Sequence, residues 1–178
     1  AMAFTVLDPP RGRRTAVVTN SGGPAVLAAD ALEALGLQLV DFLTDTVARL
    51  APLYPPEASI RNPLDMIASA DAPGYRAALD TILDDPQVDS AVAIFTPPMG
   101  VRTAEVAEAI GAAAARRRDK PVLAVLMGRE GLPQGKAELL QAGVPAYMFP
   151  ESAARALAAL VRQGRWAQRP PRDVPSAD

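Results

Sequence analysis

Residues 15–36 constrain the fold more than any other stretch, because they combine a strand, a glycine turn and a helix in direct succession. Residues 15–19 are β-branched and apolar, as in a short buried strand. Residues 20–23, Asn-Ser-Gly-Gly, form a polar turn, and Pro24 suits the first turn of a helix, where its missing N–H is not needed. Gly36 ends this helix, whose predicted apolar face consists of Leu27, Ala28, Ala31, Leu32 and Leu35.

The glycine turn also predicts an anion site. A helix N-terminus has free N–H groups and a partial positive charge, and glycines leave the backbone open to a phosphate oxygen. The predicted phosphate-binding residues are Ser21, Gly22, Gly23 and Ala25, through three backbone N–H groups and the Ser21 hydroxyl. The turn is neither a P-loop nor the three-glycine dinucleotide fingerprint. A tight turn without a ligand is therefore the alternative interpretation.

The rest of the chain alternates short apolar runs with amphipathic segments, which predicts a parallel sheet with helices on both faces. The expected fold class is α/β, a three-layer αβα flavodoxin-like domain with a five-stranded sheet in the order 2-1-3-4-5. We expect this domain to span 14–163, after a lead-in or linker at 1–13 and before an Arg- and Pro-rich interdomain linker at 164–178. After the first strand, further strands are predicted at 38–40, 90–95, 120–126 and 145–149, and further helices at 45–50, 74–83, 103–118, 133–142 and 151–161.

Two of the predicted helices carry more detailed expectations. In the helix at 74–83, Asp71 is the expected N-cap, and the residues expected to face inward are Tyr75, Ala78, Leu79 and Ile82. The run Arg116-Arg117-Arg118 is interpreted as a solvated last turn that suits the helix dipole. The arginines at 11, 13 and 14 are expected to be solvated as well.

Loops at the carboxyl ends of parallel strands are the usual ligand sites of open α/β sheets. The candidate residues of this active face are Asn20, Asn62, Asp65 and Thr96. Asp65 follows Asn62-Pro63, a dipeptide that favours an extended or turn conformation. A carboxylate that only caps or stabilises this turn is the alternative role for Asp65.

Composition excludes several classes of function. The 178 residues contain no histidine and no cysteine, which excludes a Ser-His-Asp triad and His- or Cys-based zinc sites within the chain. We therefore predict no catalytic residue and no metal site in this chain. The net charge of −2 argues against nucleic-acid and acidic-membrane partners, and no apolar run approaches the ~20 residues that span a bilayer. The absence of cysteine is typical of a cytoplasmic protein.

Four blocks of sequence resemble one known family. They are Thr-Asn-Ser-Gly-Gly-Pro-Ala-Val-Leu-Ala-Ala-Asp at 19–30, Leu-Gly-Leu at 35–37, Asn-Pro-Leu-Asp at 62–65 and Asp-Asp-Pro-Gln-Val-Asp at 84–89. In this order they resemble the ligase-CoA domain of the NDP-forming acyl-CoA synthetases, a family that includes ADP-forming acetyl-CoA synthetase and is related to succinyl-CoA synthetase. The resemblance runs from about residue 11 to residue 161.

The resemblance implies a mechanism for a larger enzyme. Acyl-CoA and phosphate give an acyl phosphate and CoA, and a histidine carries the phosphoryl group to a nucleotide in an ATP-grasp domain. In the family that phosphohistidine is held between two helix N-termini, one of which would here begin at Ser21. The implied partners are a CoA-binding domain, a phosphohistidine domain and an ATP-grasp domain, in the same chain or a partner chain. No cofactor is expected to bind tightly to this domain, whereas phosphate, CoA and ATP or ADP are implied for the full enzyme.

Two other functions stay open on the sequence. In one, the domain is a regulatory acyl-CoA synthetase-like module of a protein lysine acetyltransferase. In the other, it is a non-catalytic flavodoxin-like binding domain. An FMN role is disfavoured because the chain lacks aromatic loops that would enclose the flavin ring.

Overall fold

The computed structural model describes residues 2–128 and 135–168. The described chain forms a central sheet in the order β3-β4-β1-β5-β6-β7, and β2 also pairs with β1. Every pairing is parallel except that of β3 with β4. The strands are β1 Arg14–Thr19, β2 Gln38–Leu39, β3 Ser59–Ile60, β4 Leu64–Asp65, β5 Ser90–Phe95, β6 Val122–Leu126 and β7 Ala146–Tyr147. The helices are α1 Met2–Val6, α2 Gly22–Ala34, α3 Thr44–Leu50, α4 Ala72–Asp84, α5 Thr103–Arg116, α6 Lys136–Gln141 and α7 Pro150–Ala167, with a short 3₁₀ helix at Ala51–Leu53.

The five strands expected from the sequence occur in the expected order, since β2, β1, β5, β6 and β7 follow one another across the sheet. The fold is therefore α/β, with a mostly parallel sheet between helices. The sequence prediction missed β3 and β4, which have two residues each. Both belong to a proline-rich segment, in which so short a strand leaves no recognisable period.

Two apolar clusters hold the helices against the sheet. Side chains of β5 alternate between them: Ala93 and Phe95 belong to the cluster with α4 and α5, whereas Val92 and Ile94 belong to the cluster with α2 and α7. This double coverage explains why β5 is apolar at successive positions. Full burial of one such Val, Ile or Phe side chain stabilises the fold by about 1.5–3 kcal/mol.

Helices α4 and α2 differ in how well the sequence predicted their buried faces. In α4 the prediction is confirmed, because its four expected inward residues are fully buried and Asp71 accepts a hydrogen bond from the Gly74 N–H at 3.0 Å. In α2 the prediction is partly wrong, because Leu27 is 47% exposed and Leu35 is 38% exposed. The helix instead buries the small Ala25 and Ala28 with Leu32. Since α2 carries alanines on every side, its apolar pattern did not single out one face.

The segments that flank the predicted domain are also structured where they are described. Ala3 of α1 is buried, and α1 contacts α7. Helix α7 continues to Ala167, so that residues 164–167 of the predicted linker are helical. Gly164 of α7 lies close to Pro9. A Cβ added to Gly164 would lie only 2.7 Å from the Pro9 Cβ. Residues 169–178 and the predicted helix start at Pro133 lie outside the described residues.

Candidate functional site at the carboxyl edge of the sheet

The predicted anion site lies at the N-terminus of α2, directly after β1. Ser21 is the N-cap residue, with φ −153° and ψ 119°, and its side chain makes no capping hydrogen bond. No acceptor among the described residues takes the N–H of Gly22 or of Gly23. The predicted donor Ala25 needs correction, because its N–H already donates to the Ser21 carbonyl at 3.3 Å. The free donors of this turn are therefore the two glycine N–H groups, since Pro24 has none.

The two glycines serve different purposes. A Cβ added to Gly23 would meet nothing within 4 Å, so the backbone there faces open space. A Cβ on Gly22 would instead lie 3.2 Å from Oδ2 of Asp65. Gly23 thus keeps access to the helix N-terminus open, whereas Gly22 makes room for a neighbouring carboxylate.

Asp65 stabilises a local turn and also lies beside the predicted anion site. Its Oδ1 accepts a hydrogen bond from the Ile67 N–H at 3.0 Å, across a turn in which Ile67 has φ 58°. Its Oδ2 borders the first residue of α2. The carboxylate therefore stabilises the turn after β4 and also lies at the edge of the predicted site.

Asn20 and Thr96 join the carboxyl ends of β1 and β5. The Asn20 side chain accepts from the Thr96 N–H at 2.9 Å and donates to the Thr96 carbonyl at 2.9 Å. Both amide atoms of Asn20 are thus used within the protein, and Asn20 positions the two loops. The Thr96 Oγ1 is buried and has no hydrogen-bond partner among the described residues.

Thr19 and Tyr75 hold backbone groups near this site through hydrogen bonds. The sequence analysis did not single out either residue for the site. The Thr19 hydroxyl accepts from the Ser21 N–H at 3.0 Å and donates to the Ser21 carbonyl at 3.1 Å. The Tyr75 hydroxyl donates to the Ile94 carbonyl at 2.6 Å. Burial raises the pKa of this hydroxyl well above its ordinary value, and the charge of Asp65 acts in the same direction. Tyr75 therefore remains a neutral donor at physiological pH.

Asn62 lies away from the other predicted site residues. Its Oδ1 accepts from the Val17 N–H at 2.9 Å, and its Nδ2 donates to the carbonyls of Thr15 at 2.8 Å and Val40 at 2.9 Å. These contacts place its side chain beside the middle of β1, so the structure does not bring it to the active face. Its amide completes the sheet edge between β2 and β4.

Two further features are absent from the described part of the chain. It contains no group of three or more His, Cys, Asp and Glu side chains that could hold a metal ion. Among the helices described, none is both long and apolar enough to cross a membrane.

Comparison with known proteins identifies the family of this chain. The family model of the ligase-CoA domain matches residues 15–172. The chain belongs to the ligase-CoA domain family. The resemblance deduced from the four sequence blocks is thereby confirmed.

Relatives of this ligase-CoA domain are ADP-forming enzymes. It is 40% identical, over 169 residues, to the alpha subunit of ADP-forming acetate–CoA ligase II of Pyrococcus furiosus. The matched region covers 93% of this chain and 36% of that subunit. It is 31% identical, over 171 residues, to the ADP-forming 4-hydroxybutyrate–CoA ligase of Nitrosopumilus maritimus. The matched region covers 96% of this chain and 24% of that enzyme.

Solved structures show the same fold. A protein of Pyrococcus horikoshii OT3 matches with a TM-score of 0.89 and 38% identity, over 95% of this chain and 39% of that one. Acetyl-coenzyme A synthetase 1 of Ca. Korarchaeum cryptofilum, in complex with phosphate and ADP, matches with a TM-score of 0.84 and 27% identity, over 92% of this chain and 36% of that one. The ligase-CoA domain thus spans between 24% and 39% of the length of these four proteins, which contain further domains.

Proposed function

We propose that this ligase-CoA domain is the phosphate-site domain of a multidomain ADP-forming acyl-CoA synthetase. That enzyme would convert acyl-CoA, ADP and phosphate into a carboxylic acid, CoA and ATP. The observation that carries the proposal is the N-terminus of α2, where two glycine N–H groups have no acceptor among the described residues and Gly23 faces open space. Such an N-terminus attracts anions through its free donors and its partial charge of about +0.5.

The neighbouring carboxylate refines this proposal. Asp65 lies beside the first residue of α2, and its negative charge disfavours a free phosphate there by about 1 kcal/mol if the two charges are about 4 Å apart in water. A phosphohistidine from a partner domain would present an anionic phosphoryl group and, when its second ring nitrogen is protonated, an imidazolium N–H. The glycine donors suit the first and the Asp65 carboxylate suits the second, so the site fits phosphohistidine better than free phosphate.

An amide chemical-shift titration with inorganic phosphate tests the proposal in the 178-residue chain. Because one helix N-terminus is only half of the arrangement found in the family, we expect weak binding, with a dissociation constant of about 1 mM, or about −4 kcal/mol. The shifts should be confined to residues 20–26. In Gly23→Val they should disappear, since the added side chain would occupy the space of the phosphate oxygen, and its Cβ meets no protein atom within 4 Å. Ala34→Val, at an exposed position at the far end of α2, is the matched control and should bind as the parent does.

A second variant, Asp65→Asn, examines the role assigned to the carboxylate. The amide keeps an oxygen for the Ile67 N–H and removes the negative charge, so it should tighten phosphate binding about fivefold, the factor that corresponds to about 1 kcal/mol. If about 20 mM phosphate moves neither glycine amide in the parent chain, the turn has only a structural role. An unchanged affinity in Asp65→Asn would remove the carboxylate from the site.

A further inference from the structure

A cavity of about 500 Å³ lies at the amino end of the sheet, opposite the carboxyl edge described above. We call it the amino-edge cavity. Its charged walls come from the loop before β1, the end of α4, the loop before β5 and the loop between α5 and β6. They carry three aspartates and five cationic side chains, which are Arg11, Arg13, Arg14, Arg117 and Lys120.

The three carboxylates of the amino-edge cavity are already paired. Asp89 accepts from the Arg14 side chain at 2.7 and 2.9 Å and from the Arg14 N–H at 3.0 Å. Arg117 donates to Asp84 at 3.0 Å and to Asp119 at 3.1 Å. These pairs correct the expectation that Arg14 and Arg117 are solvated. Their charges still act on the other cations, since Asp119 interacts with Arg11 and both Asp119 and Asp89 act to raise the pKa of Lys120. The eight charged side chains nevertheless leave a net positive charge in the cavity.

Three cations of the amino-edge cavity keep unused donors. Neither the Arg11 nor the Arg13 side chain has a hydrogen bond or an ion pair with any described residue. Lys120 is only 9% exposed, and within the described chain its ammonium donates one hydrogen bond, to the Asp85 carbonyl at 2.6 Å. Burial lowers the pKa of Lys120, and the charge of Arg117 acts in the same direction. A buried ammonium with two remaining donors is costly unless something else accepts them.

We propose that the amino-edge cavity binds a small phosphate-containing anion. Guanidinium groups match phosphate oxygens in pairs, and the Lys120 ammonium adds a point charge beside them. A volume of about 500 Å³ lies within the range of small-molecule sites, about 300–1,000 Å³, and so leaves room for more than one phosphate group. The length of the six-residue β1, about 20 Å, separates this site from Gly22 and Gly23. Binding there is therefore independent of the proposed phosphate site.

The competing explanation is that these cations only offset helix dipoles. Helices α4 and α5 end at this edge, at Asp84 and Arg116, and a helix C-terminus carries partial negative charge. Arg117 directly follows α5 and suits that explanation. Arg11 and Arg13 come from the loop before β1 and also line a smaller cavity beside the last turns of α7, so the dipole of that helix offers them some compensation. It provides no acceptor for the remaining donors of Lys120, which a bound anion would provide.

The test is a titration of the 178-residue chain with pyrophosphate at constant ionic strength, followed by side-chain NMR of lysine. The chain has only two lysines, Lys120 and Lys136, so that Lys136 serves as an internal reference. We expect saturable shifts at Lys120 and at the amides of residues 11–14, with Lys136 unmoved. A bound anion favours the charged ammonium, so the pKa of Lys120 should rise. Replacement of Arg11 and Arg13 by Gln should weaken binding about tenfold, whereas Gln at the exposed Arg61 should not.

Three results would overturn the proposal: no saturable shift at Lys120, equal shifts at both lysines, or the same affinity in the double arginine variant. Because Arg11 and Arg13 are exposed, their replacement should not impair folding. Gly23→Val should bind pyrophosphate at the amino-edge cavity as the parent does. Shifts limited to residues 20–26 would therefore contradict this proposal while supporting the phosphate site at α2.

Discussion

Asn62 illustrates how a single side chain can complete a sheet. β2 pairs with the first two residues of β1 and β4 pairs with the last two, which leaves backbone groups of β1 between them. The Asn62 amide provides one acceptor and two donors there, as a neighbouring strand would. The Asn62-Pro63 pair that suggested a ligand loop is thus explained by a structural role in the sheet edge.

We expect Asn62→Ala to destabilise the fold by about 2–4 kcal/mol, because it removes three hydrogen bonds and leaves partly buried backbone groups without partners. Urea unfolding measures the loss. Arg61→Ala, at the exposed neighbouring position, is the control and should change stability by less than about 0.5 kcal/mol. A small loss in Asn62→Ala would mean that water replaces the amide at this edge.

At the scale of elements, an ion-pair network joins α4 to α5. Arg116 donates to Asp80 at 3.0 Å and to Asp84 at 3.1 Å, and Arg117 shares Asp84. Arg116 is exposed, as predicted, and Arg117 is partly exposed, but the prediction missed that both pair with aspartates of α4. Two arginines at the end of one helix face two aspartates one turn apart on its neighbour, which no local pattern in either helix reveals.

The network makes the stability of the domain dependent on pH. Burial acts to raise the pKa of Asp84, but hydrogen bonds and charges from Arg116 and Arg117 outweigh it and hold the pKa below its ordinary 3.8. A carboxyl group with a lowered pKa stabilises the fold above its unfolded-state pKa, and this contribution is lost as the pH falls through the lowered value. The network should therefore contribute at neutral pH and vanish in acid.

Replacing Arg116 and Arg117 together by Gln should cost about 1–2 kcal/mol at pH 7 and low salt, since partly exposed pairs contribute up to about 1 kcal/mol each. The difference from the parent should shrink at about 1 M salt through screening. It should also shrink as the pH falls through the lowered pKa of Asp84, which lies below the ordinary 3.8, because the carboxylate then loses its charge. Urea unfolding across pH measures both effects, and Arg118→Gln, at an exposed position, is the control. A difference that persists in acid would indicate lost packing instead of lost charge.

At the scale of the whole molecule, the described residues place two polar regions at opposite ends of β1. The carboxyl end carries the glycine turn and Asp65, and the amino end carries the amino-edge cavity. The chain itself contains no histidine to accept a phosphoryl group. It spans 36% of the Pyrococcus furiosus alpha subunit. The chemistry proposed for the full enzyme therefore depends on groups outside this chain.

We expect the isolated chain to form no ATP from acetyl-CoA, phosphate and ADP, because neither a phosphohistidine nor an ATP-grasp domain is present. A coupled ATP assay, with a complete ADP-forming acetate–CoA ligase as the positive control, measures this. Turnover clearly above the protein-free blank would mean that the chain is more than one component of the enzyme.

Much of the fold followed from local sequence patterns. Continuous apolar runs with amphipathic helices between them predicted the five main strands, their order and both helical layers. The glycine turn predicted that α2 begins directly after β1, and it is the basis of the proposed anion site, whose donors belong to the backbone of this single helix. The four sequence blocks identified the family. Each strand, each helix and the glycine turn depends on residues close together in the chain.

Only the tertiary structure decided which polar groups are already used. Three side chains form hydrogen bonds to distant residues: Asn62 to β1, Asn20 to Thr96 and Arg116 to Asp80. The partners in these pairs lie between 36 and 76 residues apart in sequence. The same holds for the position of Asp65 beside Gly22, which adds an acceptor to a site predicted to contain only donors. A side chain reaches such partners only after distant elements have packed, so its own sequence neighbourhood does not record them.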